Sequence, residues 1–150
     1  MNNYKRFGMM IATATVVMFG LMYLNTYQWD HIFFSETRTY MALIMGAVMA
    51  ITMLLFMRKM YTNKRANAGI IIGSLIVFAL SLWLVRSQTT VGDVSYMRAM
   101  IPHHSIAILT SERAQIEDPR VRELADEIID AQVKEIAEMK ALIADLEGKQ

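Results

Sequence analysis

The sequence predicts an all-α protein: three transmembrane helices followed by an extracytoplasmic two-helix hairpin. Three observations carry that expectation. Three charge-free apolar runs, Phe7–Leu24, Tyr40–Met57 and Ala68–Val85, each of 18 residues, lie in a chain of 150 residues that is 55% hydrophobic. Basic residues gather at one set of their ends. The last third of the chain changes character, with apolar positions recurring every three or four residues among many charges. At about 1.5 Å of rise per residue, each run nearly crosses a hydrocarbon core of roughly 30 Å. Too little chain remains to bury three helices that are apolar all round, which sets aside a soluble bundle.

Taken in order, the first run follows Lys5 and Arg6. Tyr23-Leu24-Asn25-Thr26-Tyr27 offers no small-residue cleavage site, so the run reads as an uncleaved signal anchor. The next link carries only Asp30, Glu36 and Arg38. The second run contains Met41, Met45, Met49, Met53 and Met57, with Met60 beyond it. A four-residue step drifts about 40° each time, so these thioethers wind around the helix and read as adaptable packing rather than a metal track. Arg58, Lys59, Lys64 and Arg65 fill the short link to the third run. The positive-inside rule puts the N-terminus and this link in the cytoplasm and everything after Val85 in the periplasm, across a cytoplasmic (inner) membrane. Tyr23, Tyr27, Trp29, Tyr40 and Trp83 fall at the outer ends as an aromatic belt would. Residues 1–86 form the expected membrane domain, 87–93 a tether broken by Gly92, and 94–150 the outer domain.

In the outer domain one helix is expected from about Val94 to Ile116 and another from about Pro119 to Leu146. Asp118 suits an N-cap and Pro119 a first helical residue. The second helix has the stripe Val121, Leu124, Ala125, Ile128, Gln132, Ile136, Met139, Ile143 and Leu146, in which Gln132 is the polar exception. A hairpin this short encloses little core, so the stripe calls for a partner. A homo-oligomer forming a four-helix bundle is the simplest one, and packing onto the membrane spans is the competitor. Glu112, Glu135 and Glu138 read as solvated.

Charge is split unevenly. Through Thr90 there are eight basic and two acidic residues; from Val91 on there are seven basic and twelve acidic, so a net charge of +1 hides +6 against −5. An acidic water-facing domain excludes nucleic acid as a partner. With no cysteine there are no disulfides and no thiolate metal sites.

The chemistry is concentrated in Met97-Arg98-Ala99-Met100-Ile101-Pro102-His103-His104. Thioether is a soft ligand and imidazole a borderline one, a set suited to monovalent copper, with silver as its mimic, rather than to oxygen-seeking cations. At about 100° per residue, Met97, Met100 and His104 fall within about 60° of one another, and His103 lies about 60° beyond Met100. Pro102 sits among them, where the helix either kinks or begins. Met139 suits both a ligand and a seam residue. A di-iron carboxylate site needs Glu-x-x-His, but Met100 and Ile101 stand three residues before the two histidines. No cysteine nucleophile, Gly-rich phosphate loop or Ser-His-Asp setting suggests an enzyme.

The ordered set Met100-Ile101-Pro102-His103-His104, Leu124-Ala125, Ile128-Ile129, Gln132, Glu135-Ile136 and Met139 resembles the CopM-like family, domain-of-unknown-function family 305. The resemblance covers about Asp93 to Leu146. It implies a ferritin-like helical bundle and, by analogy with several members, copper or silver binding and tolerance outside the cytoplasm. The ligand positions it implies are His103, His104, Met100 and Met139, with Met97 next. Ser105 stands where glutamine is common, and Leu142 where tryptophan is usual. The expected function is that of a membrane-anchored protein for capture, buffering or hand-over of copper. The alternative is a structural membrane oligomer whose outer hairpin serves assembly without metal.

Overall fold

The computed structural model describes residues 3–148. They form five α-helices: α1 (Asn3–Leu21), α2 (Glu36–Phe56), α3 (Lys64–Ser87), α4 (Asp93–Arg113) and α5 (Pro119–Gly148). A single 3-10 turn, Trp29–His31, lies between α1 and α2, and there is no strand among the described residues. The chain divides into two compact units. One takes in the chain up to Met22 together with Thr37–Thr90; the other joins Tyr23–Glu36 to the chain from Val91 onward.

In the first unit α1, α2 and α3 run up, down and up. The Tyr4 hydroxyl accepts the Asn63 backbone N–H at 2.9 Å and donates to Asn67 Oδ1 at 2.9 Å, tying the start of α1 to the start of α3. Tyr40 and Thr90 share a hydroxyl hydrogen bond of 2.8 Å that joins the start of α2 to the segment leaving α3. Asn63 caps α3, its side chain accepting the N–H groups of Arg65 and Ala66. At the far end Gln88 closes the helix in the left-handed region, at φ 53°, and its amide donates to the Val85 carbonyl.

α2 is the middle element, and its buried face is built of small residues: Ala42, Gly46, Ala47 and Ala50, with Leu54 at the end. Small side chains let helix backbones approach closely where water is absent. Gly46 is the tightest point, since a Cβ there would lie 3.3 Å from Thr15 Cγ2 on α1 and closer still to the Thr15 hydroxyl.

Two helices, α2 and α3, are long and apolar enough to cross a membrane, and little of either is buried. Ile72, Leu75, Ile76, Leu80 and Trp83 of α3 are all more than half exposed. A soluble core helix would hide such residues. The expected third span does not meet the same measure. Its apolar run was read as Phe7–Leu24, but α1 stops at Leu21 and Met22–Asn25 are turns. Arg38 donates to the Met22 carbonyl just past the helix end. Only Phe7–Leu21 remain as apolar helix, roughly 22 Å long at 1.5 Å per residue, behind a polar first turn of Tyr4, Lys5 and Arg6.

Gly46→Leu should cost about 1–3 kcal/mol of stability, because the added side chain starts inside contact distance of Thr15 and must push the two helices apart. Gly73→Ala, where nothing lies within 4 Å of the added carbon, should change it by less than about 0.5 kcal/mol. Denaturation of both variants in detergent micelles checks this, and equal losses would contradict the close α1–α2 contact.

Candidate metal cavity and its clasp

The second unit is an antiparallel helical hairpin with a strap laid over it. Asp118 caps α5 as its sequence suggests: Oδ1 accepts the Arg120 N–H at 2.9 Å, and the Arg120 side chain holds the Asp118 carboxyl below its usual range. Pro102 neither starts nor breaks α4, which runs through it from Asp93 to Arg113 with the proline ring fully buried. Met97, Ile101 and Ile108 of α4 meet Ile136 and Ile143 of α5 in a buried cluster, flanked by Val94, Ile129, Met139 and Leu146. The expected α5 stripe is thus covered in its later part and at Ala125, while its other early members stay open. Val121 and Leu124 are 49% and 55% exposed, and Ile128 is also exposed. Gln132 is half-buried on the seam.

Beside this cluster the two helices part around an open cavity of about 480 Å³. Met97, Met100 and His104 line it from α4, and Glu135, Glu138 and Met139 from α5. Steps of three and four residues on both helices place these side chains on facing stripes. Four of the five expected site residues therefore share one cavity. His103 does not line it: the next position on α4 points about 100° away, and His103 is exposed with its ring centroid 6.1 Å from that of His104.

The His104 ring is held at both nitrogens. Nδ1 lies 2.8 Å from the Met100 carbonyl, which accepts only, so Nδ1 carries a hydrogen and donates. Nε2 lies 2.7 Å from Glu135 Oε2. That nitrogen has two uses: a proton shared with the carboxylate, or, in the neutral ring, a lone pair offered to a cation. A backbone carbonyl fixing the far nitrogen is the usual support of a metal-binding imidazole. Glu135 is exposed, as expected, and its carboxylate also reaches His104 at the wall of the open cavity. Its place four residues before Met139 was the signal for that. Among the described residues no cluster of three or more His, Cys, Asp or Glu side chains is placed to hold a metal ion. A site here is one of thioethers and a single imidazole.

The strap, Tyr23–Glu36, is the part that sequence reasoning missed. The sequence places it in the membrane domain as a link whose Tyr23, Tyr27 and Trp29 suit an aromatic belt; in the structure it packs on α4 and α5. Phe33 joins the buried cluster. Ser105 has no exposed surface; its Oγ accepts the Tyr27 N–H at 2.6 Å and lies 2.9 Å from His31 Nδ1. The Tyr27 hydroxyl donates to Glu112 Oε1 at 3.2 Å, and Lys140 Nζ donates to Asp30 Oδ2 at 2.6 Å. At the strap's end Ser95 Oγ donates to Glu36 Oε1. The density of aromatics in Trp29-Asp30-His31-Ile32-Phe33-Phe34 was the available signal. Ser105, His31 and Asp30 bring together the residue types of a nucleophilic triad. With Ser105 enclosed and its oxygen already accepting from the backbone, they make a structural joint.

His31 is buried, and burial pushes its pKa below the usual 6.5; the Lys140 ammonium pushes the same way, while Asp30 opposes both. The Lys140 hydrogen bond holds Asp30 below the ordinary carboxylate range. Glu112 raises the Tyr27 hydroxyl above 10.0.

The family model described as "Domain of unknown function (DUF305)" matches residues 88–150. An uncharacterised protein of Acanthamoeba polyphaga mimivirus is 32% identical over 106 residues, covering 69% of this chain and 68% of that protein. The chain belongs to the DUF305 family. The matched segment contains α4, α5 and every residue that lines the cavity, while the strap lies before it. No solved structure matches the chain.

Because the folded chain resists protonating His31, the unfolded chain takes up the proton first as pH falls. The stability that docked His31 contributes is fully present above about pH 6.5 and is lost as pH falls below it. The thermal midpoint in detergent should therefore drop between about pH 7.5 and pH 5.5. His31→Asn should flatten that dependence. Parallel profiles for the two proteins would contradict a docked, neutral His31.

Proposed function

We propose that this is a membrane-anchored protein that captures monovalent copper or silver outside the cytoplasmic membrane, for buffering or hand-over, as a CopM-like member of its family. The observation that carries the reading is the cavity in which Met97, Met100, Met139 and His104 face one another with His104 Nδ1 already tied to the backbone. Three thioethers and one imidazole suit a soft monovalent cation. The donors fit the ion without a thiolate: Nε2 and the sulfur atoms would hold it, and the Glu135 carboxylate would offset its charge. His103 stays at the rim, able to deliver an ion to the cavity but not part of its wall.

Placement follows from charge. Lys5 and Arg6 lie in the first turns of α1, Arg58 and Lys59 follow α2, and Lys64 and Arg65 open α3, at the end where Tyr4 meets Asn63 and Asn67. These six basic residues mark the cytoplasmic face. The strap and the α4–α5 hairpin then lie outside, in the periplasm of a cell with an inner membrane. α2 and α3, the two helices long and apolar enough by themselves, supply two crossings, and the shorter α1, parallel to α3, makes the first.

The exposed large side chains in the first half of the α5 stripe support self-association into a four-helix bundle. Burying a large aliphatic side chain contributes about 1.5–3 kcal/mol, and Val121, Leu124 and Ile128 lack cover in one chain.

Titration of the detergent-purified protein with monovalent copper under reducing conditions tests the metal reading. Replacing Met97, Met100 and Met139 together by Leu keeps volume and removes sulfur. That triple variant, and His104→Ala separately, should each bind at least about tenfold more weakly, a loss of roughly 1.4 kcal/mol or more. Unchanged affinity in both would refute the site. Leu124→Asp with Ile128→Asp should convert oligomers to single chains in light scattering corrected for detergent; a parent already monomeric at tens of micromolar would remove the bundle.

A further inference from the structure

We propose that the Tyr23–Glu36 strap is a clasp on the metal cavity: docked, it holds His104 and Met139 in register for a soft cation, and a bound cation in turn holds the strap docked. The proposal rests on the soft-metal reading above and names how that same site is regulated.

The strap grips both helices at the residues next to the proposed ligands. Ser105, which receives Tyr27 and His31, follows His104 on α4; Lys140, which receives Asp30, follows Met139 on α5. Consecutive helix residues stand about 100° apart, so clasp and cavity occupy adjoining faces of the same turns. Phe33 packs on the buried cluster that contains Met97 and touches Met139. A third tie, from the Tyr27 hydroxyl to Glu112, runs one and a half to two turns further along α4. The cavity is open to solvent, and the His104–Glu135 contact joins its two walls, a contact that a cation at Nε2 would replace. Once that contact gives way, the spacing and rotation of α4 against α5 depend on the apolar seam, on the Arg98–Glu147 ion pair towards the end of α5, and on the strap, which grips beside the ligands.

His31 and Asp30 are therefore positioning residues; neither lines the cavity. If releasing the strap weakens the site, linkage requires that filling the site tightens the strap by the same factor. The strap is also the segment that joins α1 to α2. Metal occupancy is thereby converted into order in the connection between two helices of the other unit, which gives a binding protein a means of reporting that it is loaded.

The test uses the full chain in detergent, with silver ion as the probe. Hydrogen exchange of peptides from the strap is followed with and without silver, and silver affinity is measured by titration for the parent, His31→Ala, His31→Asn and Asp30→Asn. Silver should slow exchange across the strap by roughly fivefold or more, and His31→Ala should weaken silver binding by a similar factor. His31→Asn, whose amide can meet Ser105 Oγ near the position of Nδ1, should restore most of the affinity; a purely structural loss would not be rescued with the exchange response intact. Asp30→Asn, a change on an exposed side chain, should give a smaller loss and decides the matter if His31→Ala fails to fold. Silver binding at parental affinity to the strap variants, with strap exchange indifferent to silver, overturns the clasp and leaves the metal site standing. A parent that binds no silver overturns the metal reading and the clasp together.

Discussion

The second unit depends on a narrow apolar seam. Met97, Ile101 and Ile108 on one helix and Ile136 and Ile143 on the other are most of its buried apolar side chains among the described residues, with Pro102 and Ala125 beside them. Each large aliphatic residue contributes about 1.5–3 kcal/mol on burial. The seam fixes the register of α4 against α5. A slip of one turn, about 5.4 Å, would withdraw Ile136 and Ile143 from their partners and carry Glu135 and Met139 away from His104. The geometry of the cavity wall is thus a consequence of packing that lies beside it.

So small a seam leaves the hairpin short of core, and the strap makes up part of the difference in two ways. Phe33 adds apolar area to the cluster. The Tyr27–Ser105–His31 joint adds direction: it is a buried polar group with its partners in place, costly to leave unmade. The Asp30–Lys140 pair, with Asp30 63% exposed, contributes little energy of its own, as exposed ion pairs do. Its weight lies in which helix it reaches, since it carries a polar contact of the strap across to α5.

The first unit obeys a different rule. Its buried face on α2 is alanine and glycine rather than isoleucine. Where the surroundings are as apolar as the side chains, close backbone approach rather than exclusion of water holds helices together. The large aliphatic and aromatic residues of α3 face outward instead. Polar contacts that join its helices sit at their ends, at Tyr4 with Asn63 and Asn67 and at Tyr40 with Thr90.

The sequence by itself determined the all-α class, the apolar helices α2 and α3, the cap at Asp118, and the shared face of Met97, Met100 and His104, because helical period and side-chain chemistry are local properties. It also marked Met139 as a residue of the inner α5 stripe. It overstated α1, since apolar composition continues through Leu24 while the helix stops at Leu21, a stop set by the turn into the strap. Only the tertiary structure decided that His103 faces away while Glu135 faces in. Helical period places His103 within reach of the site on one helix, but which residues line a cavity depends on where the second helix stands. Only the tertiary structure, too, decided that Tyr23–Glu36 is part of the hairpin unit. His31 and Ser105 are 74 residues apart, and neither carries a local pattern that names the other: a contact that distant is set by the fold that brings the segments together.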